Sequence, residues 1–128
     1  MKSRFVTVIY LTVLAGIVVL ADSHQSHGLF DGVRRIPGGD KLGHFLLMGL
    51  LSFLLNVSLD CRTLRAFGRA LLLGSLIACV AVTLEEFSQI FVRYRTFDPL
   101  DLLFDYGGIW AFGRLALRLK IRRERHAK

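Results

Sequence analysis

The length of its uncharged apolar runs constrains this chain more than any other feature. Phe5 to Ala21 is seventeen residues without a charge, and Leu42 to Leu59 is eighteen, interrupted chiefly by His44 and Asn56. Ala70 to Leu84 is fifteen, and apolar character resumes beyond Glu85 and Glu86 through Phe87, Ile90, Phe91 and Val92. About 20 helical residues cross the hydrocarbon of a bilayer, so runs of this length read as membrane spans rather than as core helices. A fourth block, Leu102 to Leu117, contains Asp105 and Arg114, and its clean part from Tyr106 to Gly113 is too short to span alone. Snorkelling of Arg114 and Arg118 toward a headgroup layer extends it to a usable length. The expected fold class is therefore an all-α integral membrane protein. Specifically, a four-transmembrane-helix bundle is expected, with spans near residues 5–21, 42–59, 69–92 and 101–118 in a single domain over 1–128. The 53% hydrophobic content and mean hydropathy of +0.50 agree, since an ordinary soluble domain holds roughly 45–50% apolar residues.

The first block admits two readings. Lys2 and Arg4 precede it and Val19-Leu20-Ala21 would serve as a cleavage site, which suits a signal peptide. Its apolar core exceeds the usual signal core of about 7–15 residues, which favours an uncleaved anchor. Lys and Arg set the orientation. Two precede the first span, three lie in the loop Asp60 to Arg69 and seven follow Gly113, against three in Asp22 to Lys41 and two between Arg93 and Leu100. The positive-inside rule then places both termini and the Asp60–Arg69 loop in the cytoplasm and the other two loops outside. The pI near 10.1 does not point to nucleic acid, because the basic residues flank spans and no aromatic residue interleaves the tail Lys120-Ile121-Arg122-Arg123-Glu124-Arg125. That tail is assigned to topology and to contact with anionic lipid. Cys79 falls mid-span and Cys61 in a loop, at different depths, so no bridge between them is expected. Gly28 to Gly39 reads as an outward loop, and the His24-x-x-His27 pair within it lacks the helix and third ligand of a metal site.

Ionisable groups within spans cost on the order of 3 kcal/mol each at a helix centre, so they tend to face the bundle interior and to mark function. Here they form three sets. Asp40, Lys41 and His44 open the second span; Glu85, Glu86 and Gln89 close the third and are followed by Arg93 and Arg95; Asp98, Asp101 and Asp105 open the fourth. All three belong to the outer end of the expected bundle. Asp40 and His44 are four apart, Glu86 and Gln89 three apart, and Asp101 and Asp105 four apart, so each pair shares a helix face. Gly108, one turn below Asp105, would admit a neighbouring helix closely. Blander readings stand beside this one. Glu85 and Asp98 suit a solvated interface, and Lys41 suits a snorkelling flank. His44, Glu86 and Asp105 suit a structural hydrogen-bond network, and Arg95 suits either a counter-ion of Glu86 or Asp101 or a grip on an external anion.

The run Asp40-Lys41-x-x-His44-Phe45, then Glu86-x-x-Gln89-x-Phe91, Arg95, and Asp101-x-x-x-Asp105-x-x-Gly108 resembles the VanZ-like membrane proteins over about Asp40 to Gly113. Many members carry Asn where this chain has Asp105, and Val92-Arg93-Tyr94 replaces a Pro/Gly turn common before the family Arg. The resemblance implies a four-helix inner-membrane protein of the bacterial envelope. The founding member is linked to teicoplanin resistance, and the family brings no established reaction. Two readings follow. In one, the cluster binds or processes the anionic headgroup of an envelope lipid or lipid-linked precursor. His44, Glu86 and Asp101 are then the candidates for proton handling, and Asp40, Gln89, Arg95 and Asp105 for substrate binding. In the other, the cluster is structural and orders a non-catalytic scaffold for a partner protein. An intramembrane metalloprotease fits poorly, because position 90 is Ile and no His lies between Glu86 and His126. No metal or cofactor is assigned, although the acidic excess leaves room for a divalent cation, Mg²⁺ or Ca²⁺ better than Zn²⁺.

Overall fold

The computed structural model describes residues 2–22, 32, 35–92 and 96–128. The chain is mostly helical. Helix α1 covers Lys2–Asp22, α2 Gly39–Ser58, α3 Leu73–Ser88 with a 3-10 turn Gln89–Phe91 after it, and α4 Pro99–His126. A two-stranded hairpin, β1 (Thr63–Ala66) and β2 (Arg69–Leu72), joins α2 to α3.

Local chemistry sets the helix starts. Gly38 precedes α2 in the left-handed region, φ 73°, where a side chain would be strained, and Asp40 in the first turn faces the positive end of the helix. Asp98 caps α4 by accepting from the Leu100 N–H at 2.9 Å, and Pro99 fills the first helical position, where no N–H is needed. Arg123, Arg125 and His126 meet the negative end of α4.

Side-chain pairs fix how the helices run. The start of α2 meets the start of α4 through Lys41 and Asp101, and the end of α3 meets Asp98 through Glu86. At the opposite end, Thr7 of α1 meets Ser58 of α2 at 2.6 Å, and Lys120 of α4 meets Asp60 at 3.0 Å. Hence α2 and α4 run parallel, with α1 and α3 antiparallel to them. The α2–α4 contact is the most extensive, α3 packs on both, and α1 lies on α2, where the Tyr10 hydroxyl donates to the Leu47 carbonyl at 2.6 Å.

Glycines let the backbones touch. A Cβ on Gly108 would strike the Phe45 carbonyl, one on Gly49 would lie 2.6 Å from the Phe112 ring, and one on Gly74 would lie 2.6 Å from Asn56. Small residues at the helix contacts allow this close approach.

The buried interior combines an apolar cluster of Leu14, Leu51, Ala78, Val82 and Ile109 with an unusually polar set of large side chains. Four of the five largest fully buried side chains are polar, namely Glu86, Asn56, Asp105 and Ser52, with Ile109 the fifth. Large apolar side chains such as Phe5, Val8, Leu42, Val80, Leu84 and Trp110 stand exposed. Among the described residues, Gly39–Ser58 and Leu73–Phe91 are long and apolar enough to cross a membrane.

Two expectations need correction. The helix expected over 69–92 begins only at Leu73, because Arg69–Leu72 pair with Thr63–Ala66 as a strand, so the fold is not purely α. The two-residue turn Phe67-Gly68 has φ of 52° and 71°, a primed turn whose twist suits a hairpin. The fourth helix covers the expected span and continues to His126, so the basic tail is helical. The His24-x-x-His27 pair lies outside the described residues.

Candidate functional site

At the end of the bundle where α2 and α4 begin and α3 stops, the three polar sets anticipated from the sequence come together. Lys41 Nζ donates to Asp98 Oδ2 at 2.9 Å and to Asp101 Oδ1 at 2.8 Å, which ties α2 to the first turn of α4. The Lys41 ammonium, with help from the Leu100 N–H, holds the Asp98 carboxyl below the usual aspartate range. Lys41 is thus part of the cluster, not a flank reaching for headgroups.

His44 lies between two aspartates of α4. Its Nδ1 is 3.0 Å from Asp105 Oδ1, and its Nε2 is 3.7 Å from Asp101 Oδ2, too long for a hydrogen bond. The four-residue spacing of Asp101 and Asp105 puts both on the face of α4 that meets α2, one against each ring nitrogen. Asp105 is fully buried, and among the described residues its Oδ2 has no hydrogen-bond partner.

Glu86 is buried at the end of α3. Its Oε1 accepts the backbone N–H of Asp98 at 3.2 Å, and its Oε2 accepts Gln89 Nε2 at 3.0 Å. Gln89 also donates to Glu85 at 3.1 Å. Glu86 therefore closes the connection after α3 back onto the start of α4. Asp98, partly exposed, links Glu86, Lys41 and its own helix.

Access to the cluster is graded. Side-chain exposure is 27% at Lys41, 20% at His44 and 13% at Asp101, while Asp105 is sealed, so a small ligand meets Lys41, His44 and Asp101 before it meets Asp105. Ligand atoms of Asp40, His44 and Asp101 all lie within 4.8 Å of one another. Asp40, His44, Glu86, Gln89, Asp101 and Asp105 thus occupy one end of the bundle, and Arg95 lies outside the described residues.

Sequence reading missed a second polar set. Asn56 Nδ2 donates to the Ser52 carbonyl at 2.9 Å and to Ser75 Oγ at 2.8 Å, and Ser52 Oγ donates to the Ile109 carbonyl at 2.9 Å. This neutral network stitches α2, α3 and α4 together in the half nearer the hairpin. The available signal was the Ser52–Asn56 spacing of four beside Gly49, Gly74 and Gly113. The chain matches no protein-family model, no curated protein and no solved structure.

Proposed function

We propose that the chain is a four-span protein of a bacterial cytoplasmic membrane, related to the VanZ-like proteins, whose polar cluster faces outward and binds the anionic headgroup of an envelope lipid or lipid-linked precursor. The observation that carries this reading is the gathering of Lys41, His44 and Asp101, partly open, at one end of a bundle whose exterior is apolar. That end lies at headgroup depth if α2 and α3 cross the bilayer, since 20 residues of helix span about 30 Å. Arg95 stands three positions before Asp98 in the chain and is the bidentate donor assigned to the phosphate. His44, with a carboxylate beside each ring nitrogen, is the proton carrier if the headgroup is processed.

Lipid co-purification with the full chain in detergent tests the proposal. Arg95→Ala should lose the co-purified anionic lipid while inserting normally, and a reporter fused at Lys128 should report the cytoplasm. Retention of that lipid in Arg95→Ala at normal abundance would defeat the reading.

A second reading, a structural cluster in a non-catalytic scaffold, is favoured by Glu86, whose two oxygens are both satisfied within the protein. It expects Glu86→Gln and Asp101→Asn to leave any envelope phenotype intact, and Arg95→Ala to lower thermal stability with no separate effect on lipid.

A further inference from the structure

We propose that Asp40, His44 through Nε2, and Asp101 through Oδ2 form a site for one divalent cation that accepts nitrogen as well as oxygen, Zn²⁺ or Mn²⁺, with Asp105 as the positioning residue. This stands apart from the headgroup reading, because it needs neither Arg95 nor a lipid.

The arrangement differs from a plain acidic patch in three ways. His44 turns Nε2 toward Asp101 while its Nδ1 is engaged by Asp105 at 3.0 Å. Metal-ligating histidines characteristically give their second ring nitrogen to a carboxylate, which fixes the tautomer and aims the lone pair. Asp101 is oriented in the same way: Lys41 holds Oδ1 at 2.8 Å, which leaves Oδ2 facing His44 Nε2 at 3.7 Å. Two atoms bound to a tetrahedral Zn²⁺ lie roughly 3.3–3.6 Å apart, given bonds of about 2.0–2.2 Å, so the His44–Asp101 pair closes onto an ion with a shift of a few tenths of an ångström at most.

The third feature is the buried Oδ2 of Asp105, which has no partner among the described residues. A buried carboxylate oxygen without a donor is costly, and its retention beside the imidazole suits a carboxylate kept there to fix the His44 tautomer. The neighbouring carboxylates are otherwise committed, Glu86 to Gln89 and the Asp98 N–H, and Asp98 to Lys41 and the Leu100 N–H. Two carboxylates and one imidazole, with further positions open to water or to a phosphate oxygen, suit borderline cations better than Mg²⁺ or Ca²⁺, which take oxygen ligands. The imidazole in the donor set moves the choice away from the hard cations expected from the acidic excess alone.

The test is metal binding to the full chain, purified in detergent and stripped by a chelator, followed by isothermal titration with ZnCl₂ and by the electron paramagnetic resonance of Mn²⁺. Wild-type protein should bind one ion per chain, and bound Mn²⁺ should show coupling to an imidazole nitrogen. His44→Ala and Asp40→Asn should weaken Zn²⁺ binding at least about tenfold, with the nitrogen coupling absent in His44→Ala. Asp105→Asn should weaken it about 10–100-fold, the range for removing a carboxylate behind a metal-bound histidine. Asp105→Glu, which restores a carboxylate behind the imidazole, should recover most of that loss.

A measurement on the wild type alone guards against variants that fail to fold. Zn²⁺ should protect His44, and not exposed His126, from acylation by diethyl pyrocarbonate, read peptide by peptide. No binding of either ion at about 1 mM, the weak end of specific affinity, overturns the proposal. So does unchanged affinity in folded His44→Ala, or protection of His24 and His27 in place of His44. Because metal binding is read directly and no lipid is added, these outcomes leave the co-purification result to judge the headgroup reading separately.

Discussion

The two polar regions inside this bundle solve the same physical problem with different chemistry. Toward the hairpin, Ser52, Asn56 and Ser75 join three helices with uncharged hydrogen bonds, and Gly74 and Gly113 bring the backbones close enough for short side chains to reach. At the other end, Lys41, His44, Glu86, Asp98, Asp101 and Asp105 join the same three helices with charges. A neutral network is the cheaper way to tie helices together in a low-dielectric interior, because no ion is desolvated. The charged end therefore carries more chemistry than packing requires, and it is the end with partial access. The neutral end reads as structure, and the charged end is where the proposed binding is placed.

Three substitutions break or sharpen that contrast. Gly108→Ala should have the largest effect, because its Cβ would meet the Phe45 backbone carbonyl and α4 would have to move off α2. A loss on the order of 3 kcal/mol is expected, disturbing both regions together, and a detergent unfolding titration measures it. Asn56→Ala should come next, removing the bonds to Ser75 and to the Ser52 carbonyl at a cost of about 1–2 kcal/mol. Its loss should be independent of salt and pH and should leave Zn²⁺ affinity unchanged, which separates the two regions.

Lys41→Met should cost the least, since the pair with Asp98 is open to solvent and screened. Its signature is pH dependence. The Asp98 carboxyl is held low in the folded protein, so the stability it contributes is fully present above the ordinary aspartate value and is lost as pH falls through the lowered one. The gap between wild type and Lys41→Met should accordingly shrink in acid. A gap that widened in acid would remove the ion pair from the account.

The sequence made one of these regions legible and hid the other. Charged residues at helical spacing inside apolar runs are rare, so Asp40 with His44, Glu86 with Gln89, and Asp101 with Asp105 could be placed on shared faces before any coordinates. Ser52, Asn56 and Ser75 are short, neutral and isolated in apolar runs, and their meaning depends on which glycines stand opposite. The hairpin was hidden for another reason. Leu64, Leu71 and Leu72 carry no alternation that distinguishes a strand from the first turn of a helix. The turn at Phe67-Gly68 also puts a phenylalanine where φ is positive, a position usually filled by Asn, Asp or Gly. Lys41 was misplaced because a lysine at a span end is ordinarily a snorkelling flank, and only the folded position of Asp98 and Asp101 reveals its partners.

The contact between Gly108 and the Phe45 carbonyl has a mechanical consequence. Two helices held backbone to backbone at one point share a fulcrum there, and this one lies next to His44 on α2 and one turn from Asp105 on α4. Were α4 to rock on α2 about that point, the arm would be short to the imidazole and its aspartates and long to Ser58, thirteen residues or about 20 Å down α2. The charged cluster sits near the still centre of the lever. The Lys120–Asp60 pair and the hairpin lie at its far end, so a rocking motion that scarcely altered the distances around His44 would be magnified at the opposite end of the bundle.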